Sequence, residues 1–183
     1  MSILYSLSHQ EENILAHQTH PMWGVRNSYN FTFTTLDSFI KLIRPKSIMD
    51  YGCGKGFTLD QLELKFPDIS MVNYDPFYSK HSMFPTTPCE LVICYNVLQD
   101  VELNFLDQII EQIYNLSTKN ILLSMNFCES KGQTSIDWWR HRLALYNIIT
   151  DARVADHEIY PMHGVPMISG GYNCWISKKA KSI

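Results

Sequence analysis

The stretch Ser47-Ile48-Met49-Asp50-Tyr51-Gly52-Cys53-Gly54-Lys55-Gly56 constrains this chain more than any other part of it. A short apolar run ends in an acid, three glycines alternate with other residues, and amphipathic spacing begins directly afterwards. This is the strand, glycine loop and helix entry through which an α/β sheet holds a nucleotide-like ligand. Gly52 and Gly54 let the backbone turn sharply and approach a ligand where a Cβ would obstruct it. The following helix offers its unpaired N–H groups and the positive end of its dipole. Dinucleotide folds favour G-x-G-x-x-G; here the spacing is G-x-G-x-G directly behind an acid. A tight strand–helix turn without a ligand explains a lone loop of this kind equally well, so the remainder of the chain decides.

Upstream, Leu36, Phe39, Ile40 and Ile43 recur at i, i+3, i+4 and i+7. That spacing predicts a helix from Thr34, with Thr34 and Asp37 resembling a capping box and Pro45 as the stop. The first strand follows over 47–51, then a helix over 56–66 with Leu59, Leu62 and Phe66 facing inward. A second strand over 70–74 delivers Asp75-Pro76-Phe77. Residues 78–89 hold Pro85 and Pro88 and leave no room for a full helix and strand, so the third strand is expected to be vestigial or absent. A buried strand over 91–95, a helix bearing Leu106, Ile109, Ile110 and Ile113, and a strand over 120–125 come next. A helix over 137–149 carries Trp138 and Trp139, and runs near 157–162 and 172–177 fit a closing hairpin with Gly170-Gly171 in the connection.

This alternation predicts an α/β fold: a doubly wound, Rossmann-like, mainly parallel sheet with an antiparallel C-terminal hairpin. One domain over 1–183 accounts for the whole chain, with 1–33 as an N-terminal cap or lid segment. His9, His17 and His20 in that segment read as surface or internally satisfied histidines, and Trp23 as a packing or lid residue. A formal net charge of −3 without a basic stripe gives no strong duplex nucleic-acid signature. Five scattered cysteines read as reduced thiols, no apolar run reaches the ~20 residues that span a bilayer, and no signal peptide is evident. A cytoplasmic protein without a membrane partner is expected.

In order along the chain, Asp50-Tyr51-Gly52-Cys53-Gly54-Lys55-Gly56, Tyr74-Asp75-Pro76 and Leu91-Val92-Ile93-Cys94 resemble the motifs of class I S-adenosylmethionine-dependent methyltransferases. More narrowly, they resemble the compact bacterial and phage-type members, over roughly 47–123. The resemblance implies that Gly52, Gly54 and Gly56, with Tyr51, pack on the methionine part of S-adenosyl-L-methionine while Asp50 helps position its ammonium. Asp75 follows the loop at the roughly 20-residue distance at which a βαβ unit places an acid on a ribose. Its carboxylate would accept from both ribose hydroxyls, in charge-assisted bonds of roughly 1.5–3 kcal/mol each. Pro76 fixes the turn, Phe77 is placed to lie against an adenine, and Tyr95, Asn96 and Val97 complete the cofactor-binding set. S-adenosyl-L-homocysteine would be the product.

Where the family reads Asp-Val-Leu-Glu-His, this chain reads Asn96-Val97-Leu98-Gln99-Asp100. Asn96 keeps hydrogen-bonding capacity, but a general-base role for that histidine does not carry over. Methyl transfer from a sulfonium is an in-line displacement with an activated leaving group, so alignment and desolvation suffice and no catalytic residue is assigned. Tyr95, Asp100 and His163 are the candidates near the top of the sheet. Trp138 and Trp139 could wall a pocket for a planar acceptor. For all five, packing or surface exposure competes. Asn96 is followed by Val97 rather than a Pro-Pro pair, which argues against amino-methylating DNA enzymes. Pro88-Cys89 precedes its strand rather than following it, which argues against cytosine-C5 chemistry. The implied function is methyl transfer to a small-molecule or nucleotide-like acceptor. The alternative is a non-catalytic S-adenosylmethionine-binding or partner-binding module; a nicotinamide oxidoreductase would want the other glycine spacing.

Overall fold

The computed structural model describes residues 4–25, 29–126, 136–146, 148–152, 159–162, 165–168 and 171–178. Two helices precede the sheet. α1 (Leu7–Thr19) starts where the Ser6 hydroxyl accepts from the His9 N–H at 3.2 Å. It carries no apolar stripe: Leu7, Ile14 and Leu15 are all exposed. Without the periodicity that announces an amphipathic helix, the sequence showed no helix here. α2 (Tyr29–Ile43) begins earlier than the capping signal suggested and buries Leu36 and Ile40 completely.

The remaining elements are β1 (Ser47–Tyr51), α3 (Phe57–Lys65), β2 (Ser70–Tyr74), β3 (Cys89–Tyr95), α4 (Leu103–Leu116), β4 (Ser117–Asn126), α5 (Ile136–Arg142), β5 (Ile148–Ala152), β6 (Ile159–Met162), β7 (Val165–Ile168) and β8 (Gly171–Ser177). Six strands form one sheet in the order β2-β1-β3-β4-β8-β5. β2, β1, β3 and β4 run parallel; β8 is antiparallel to both β4 and β5. Successive strand side chains point to opposite faces, and the core divides accordingly. Met49, Val92, Cys94, Ile121 and Leu123 meet α4 and Trp139 of α5 on one face. Ile48, Leu91, Ile93 and Leu122 meet α2 and α3 on the other. Helices on both faces of a mainly parallel sheet are the expected architecture.

Between β2 and β3 lies only a one-turn helix at Ser79–His81, so the third strand is indeed absent. The antiparallel C-terminal end is present, with different partners from those expected. β8 pairs with β4 and β5, while β6 pairs with β7, Met162 opposite Val165, in a separate two-stranded hairpin. The predicted helix over 137–149 ends at Arg142, and Ile148-Ile149-Thr150 enters β5. Three consecutive β-branched residues favour a strand, and that preference overrides the helical spacing of Leu145 and Ile148.

β1 is the pivot. The chain leaves it to add β2 on one side and returns to add β3 on the other. In open α/β sheets, ligands bind at such a reversal, beyond the carboxyl ends of the strands.

Candidate functional site

The loop leaving β1 takes positive φ at each glycine: 73° at Gly52, 58° at Gly54 and 85° at Gly56. Gly52 and Cys53 both donate their N–H to the Tyr74 carbonyl, at 2.7 and 3.1 Å, which fastens the loop to the end of β2. Two of these glycines are also forced by close approach. A Cβ on Gly52 would lie 2.3 Å from Val97 Cγ2, and one on Gly54 would lie 2.2 Å from the Gly24 carbonyl oxygen. Gly56 is the N-cap of α3.

Asp75 stands beside this loop, only 7 % exposed. Its Oδ2 accepts from Gly54 N–H at 2.8 Å and its Oδ1 from Phe77 N–H at 2.9 Å. A carboxylate offers about four lone-pair positions, and these two backbone donors fill two of them. The His17 imidazole of α1 lies opposite, its Nε2 3.8 Å from Asp75 Oδ1 and its side chain 6 % exposed. Burial holds His17 below the usual histidine range, against the upward pull of the Asp75 charge. Among the described residues, His17 Nδ1 is buried with no hydrogen-bond partner, as are His81 Nε2 and Asn73 Oδ1. A Cβ on Gly56 would meet His81 Nε2 at 2.7 Å and Asn73 Nδ2 at 2.8 Å, so these side chains line the same loop. His81 is likewise held low by burial.

The other residues expected at the site divide between its rim and the core. Asp50 is fully buried at the end of β1, in register with Asn73 and Ile93. Tyr51 points away from the loop: its hydroxyl donates to Gln112 of α4, its ring meets Tyr74 edge-on at 5.2 Å, and burial raises its phenol well above the usual range. Burial pushes Tyr74 up to about 12. Pro76 is half-buried in the turn after β2. Phe77 is half-buried and contacts Tyr5 and His9, with ring centroids at 4.8 and 5.6 Å. Tyr95 packs with Leu36 and Ile40. Asn96 is exposed in the left-handed region, φ 54°, with its N–H donating to the Ser124 carbonyl at 2.8 Å. Val97 abuts Gly52. Trp139 is wholly buried, which selects packing over a pocket wall for it; Trp138 is half-buried under the Arg142 guanidinium, 5.1 Å from its ring. Asp100 is exposed and accepts from Gln99 Nε2 at 3.3 Å. His163 lies outside the described residues.

What the sequence did not reveal is the part α1 plays. Ser6 N–H donates to Glu102 Oε2 at 2.9 Å, and Gly24 carbonyl accepts from Lys55 N–H at 3.1 Å. The N-terminal segment is therefore fastened to both sides of the loop region. A cleft of about 630 Å³ runs between it and the turn after β3, lined by His9, Glu12, Trp23, Asp100 and Glu102 among others. His17 is no surface histidine, and only the burial of Asp75 beneath it reveals its place. Among the described residues no group of three metal-ligating side chains occurs. No described helix is long and apolar enough to cross a membrane.

Strand order, switch point and glycine loop together define the class I methyltransferase fold. No protein-family model and no curated protein matches the sequence. Solved structures do match. Magnesium protoporphyrin IX methyltransferase from Synechocystis PCC 6803, with bound SAM, aligns at TM-score 0.63 and 13% identity over 95% of this chain and 99% of that one. The plantazolicin methyltransferase BpumL, in complex with a pentazolic desmethylPZN analog and SAH, aligns at TM-score 0.64 and 11% identity over 94% and 98%. The methyltransferase domain of bacterial CtHen1-CN gives 0.57 and 15% over 80% and 97%. At these identities the likeness establishes the fold.

Proposed function

We propose that this protein binds S-adenosyl-L-methionine at the β1 loop and transfers its methyl group to a small-molecule or nucleotide-like acceptor. The observation that carries the reading is the contact of Asp75 with Gly54: the acid at the tip of β2 and the loop leaving β1 form one hydrogen-bonded unit at the switch point. The residues fit the group. Two lone-pair positions of the Asp75 carboxylate remain for ribose hydroxyls, and the positive φ of the three loop glycines turns the chain sharply at the end of β1. Asp50 lies buried at the same strand end, where it is assigned to the ammonium. Gly52, Gly54 and Gly56 are assigned to the methionine part, and Asn96 and Val97 to the rim. The side chains of Tyr51 and Tyr95 support the site from the core. Phe77 and Pro76 shape the turn that holds Asp75.

When bound, the sulfonium supplies an electrophilic methyl group with a neutral thioether as leaving group. The chain's own residues orient the acceptor and exclude water. The cleft of about 630 Å³ is of the size that holds small ligands. Residues 1–33 are the cap over this site within a single domain, and α1 forms one wall of the cleft.

Titration calorimetry tests the reading: S-adenosyl-L-homocysteine should bind in the micromolar range, and NADH should not compete. Labelled S-adenosyl-L-methionine, incubated with fractionated metabolites, nucleic acid and protein, then identifies the acceptor class. Absence of heat with either nucleoside at millimolar concentration refutes the proposal. One observation favours the second reading, a module that kept the fold without turnover: Gly24 lies directly on Gly54 and Asp75 is nearly closed off from solvent. Binding without label transfer to any fraction would select it.

A further inference from the structure

The distance between His17 and Asp75 is awkward for the protein alone. At 3.8 Å it exceeds the 2.7–3.2 Å of a direct N–H···O bond, yet both groups are buried. Asp75 already accepts two backbone N–H bonds and keeps further acceptor capacity, and a polar contact longer than about 3.5 Å has room for a bridging atom between its ends. An oxygen about 2.7 Å from a carboxylate oxygen and about 2.9 Å from a ring nitrogen fits over such a base, with roughly a right angle at the oxygen. A hydroxyl suits this position in particular, because it donates and accepts at once. The carboxylate can only accept. An imidazole with Nε2 protonated can donate.

We propose that His17 is a ligand-binding residue of the nucleoside site, sharing one ribose hydroxyl with Asp75. This rests on the reading of the site given above and extends it to an element outside every motif of the sequence. The hydroxyl donates to Asp75 Oδ1 and accepts from His17 Nε2–H, so α1 supplies a wall of the cofactor pocket and senses its occupancy. The loop side of the pair is already fixed, since Gly54 and Phe77 hold the carboxylate by their N–H groups. The Tyr78 ring lies beside the imidazole, with centroids 5.3 Å apart and planes tilted by 35°. Burial favours the neutral imidazole, the form that leaves Asp75 as an acceptor for a hydroxyl rather than for a cation.

The test is calorimetry on the full chain with S-adenosyl-L-homocysteine and its 2′-deoxy and 3′-deoxy analogues. His17→Ala should weaken binding of the parent nucleoside about tenfold. Against the analogue lacking the shared hydroxyl, wild type and variant should differ less than twofold. His17→Gln, whose amide N–H reaches the same place, should recover most of the loss. Equal weakening for all three ligands would mean that His17 only packs, and no weakening would mean that it does not touch the ligand; either overturns the inference. In case the alanine variant does not fold, the native protein serves as well. The ¹⁵N resonance of His17 Nε2 should shift with the parent nucleoside and not with the matching deoxy analogue, and identical shifts refute the sharing. Failure of wild type to bind the parent nucleoside overturns the functional reading itself. Binding with an indifferent His17 overturns only this inference.

Discussion

Substituting Gly52 by alanine tests whether the loop is shaped by the protein or only by what it binds. Gly52 has φ 73°, where an L side chain costs about 1–2 kcal/mol. Its new methyl would also lie 2.3 Å from Cγ2, 2.9 Å from Cγ1 and 3.2 Å from Cβ of Val97. Overpacking of this kind costs about 1–3 kcal/mol, so the total is about 2–5 kcal/mol, a large share of the ~5–15 kcal/mol by which domains are stable. The two terms separate in a double-mutant cycle. Val97→Ala removes both methyls but keeps Cβ, so in the double variant the overpacking shrinks to the 3.2 Å contact while the backbone term stays. Urea unfolding at constant slope should show Gly52→Ala with a markedly lower midpoint. The double variant should be more stable than the sum of the single losses by up to about 1–3 kcal/mol. Strict additivity, or a Gly52→Ala midpoint equal to wild type, would refute the claim that Val97 dictates this glycine.

Three further outcomes follow from the same geometry. Asp75→Asn places an amide nitrogen against either Gly54 N–H or Phe77 N–H, which should cost about 1–3 kcal/mol in urea unfolding and abolish S-adenosyl-L-homocysteine binding by the still-folded protein. Tyr51→Phe removes the hydroxyl that donates to Gln112; it should lower stability by about 1 kcal/mol and leave nucleoside affinity unchanged, because that side chain faces α4. His17 and His81 are both held below the usual histidine range by burial, so between their folded values and the unfolded value near 6.5 the unfolded chain binds more protons. Their contribution is complete above about pH 6.5 and is lost as pH falls through the folded values. The urea midpoint measured from pH 7.5 to 5 should therefore fall less steeply in His17→Gln than in wild type.

The strand, glycine loop and acid of the candidate site were legible because their signals are local. An apolar strand, glycines in close succession and an acid one βα unit later are written within Ser47 to Asp75, and the structure brings Gly54 and Asp75 into contact. What was not legible is set by residues distant along the chain. Nothing near Gly52 says that Val97 will press on it, nor near Gly54 that Gly24 will. β8 was placed beside the wrong neighbour because strand order depends on which edges remain open once β4 is in place, and no local pattern records that. α1 escaped because it covers the site without burying an apolar stripe. Its nearly covered side chain His17 is recognisable only from the carboxylate beneath it.

That last point bears on what the glycine loop means. A loop held open for a ligand and a loop closed by its own chain both demand glycine, and from sequence they are the same. Here both glycines answer to the chain itself: Gly52 to Val97, and Gly54 to Gly24 of the N-terminal segment. A cofactor entering this site must therefore share Asp75 with α1 or displace it. The 3.8 Å gap to His17 favours sharing, since a displaced helix would gain nothing from a buried imidazole aimed at the acid. Proteolysis between Thr19 and Gly24 decides between them: S-adenosyl-L-homocysteine should slow cleavage if α1 shares the ligand, and faster cleavage would mean that α1 is pushed aside.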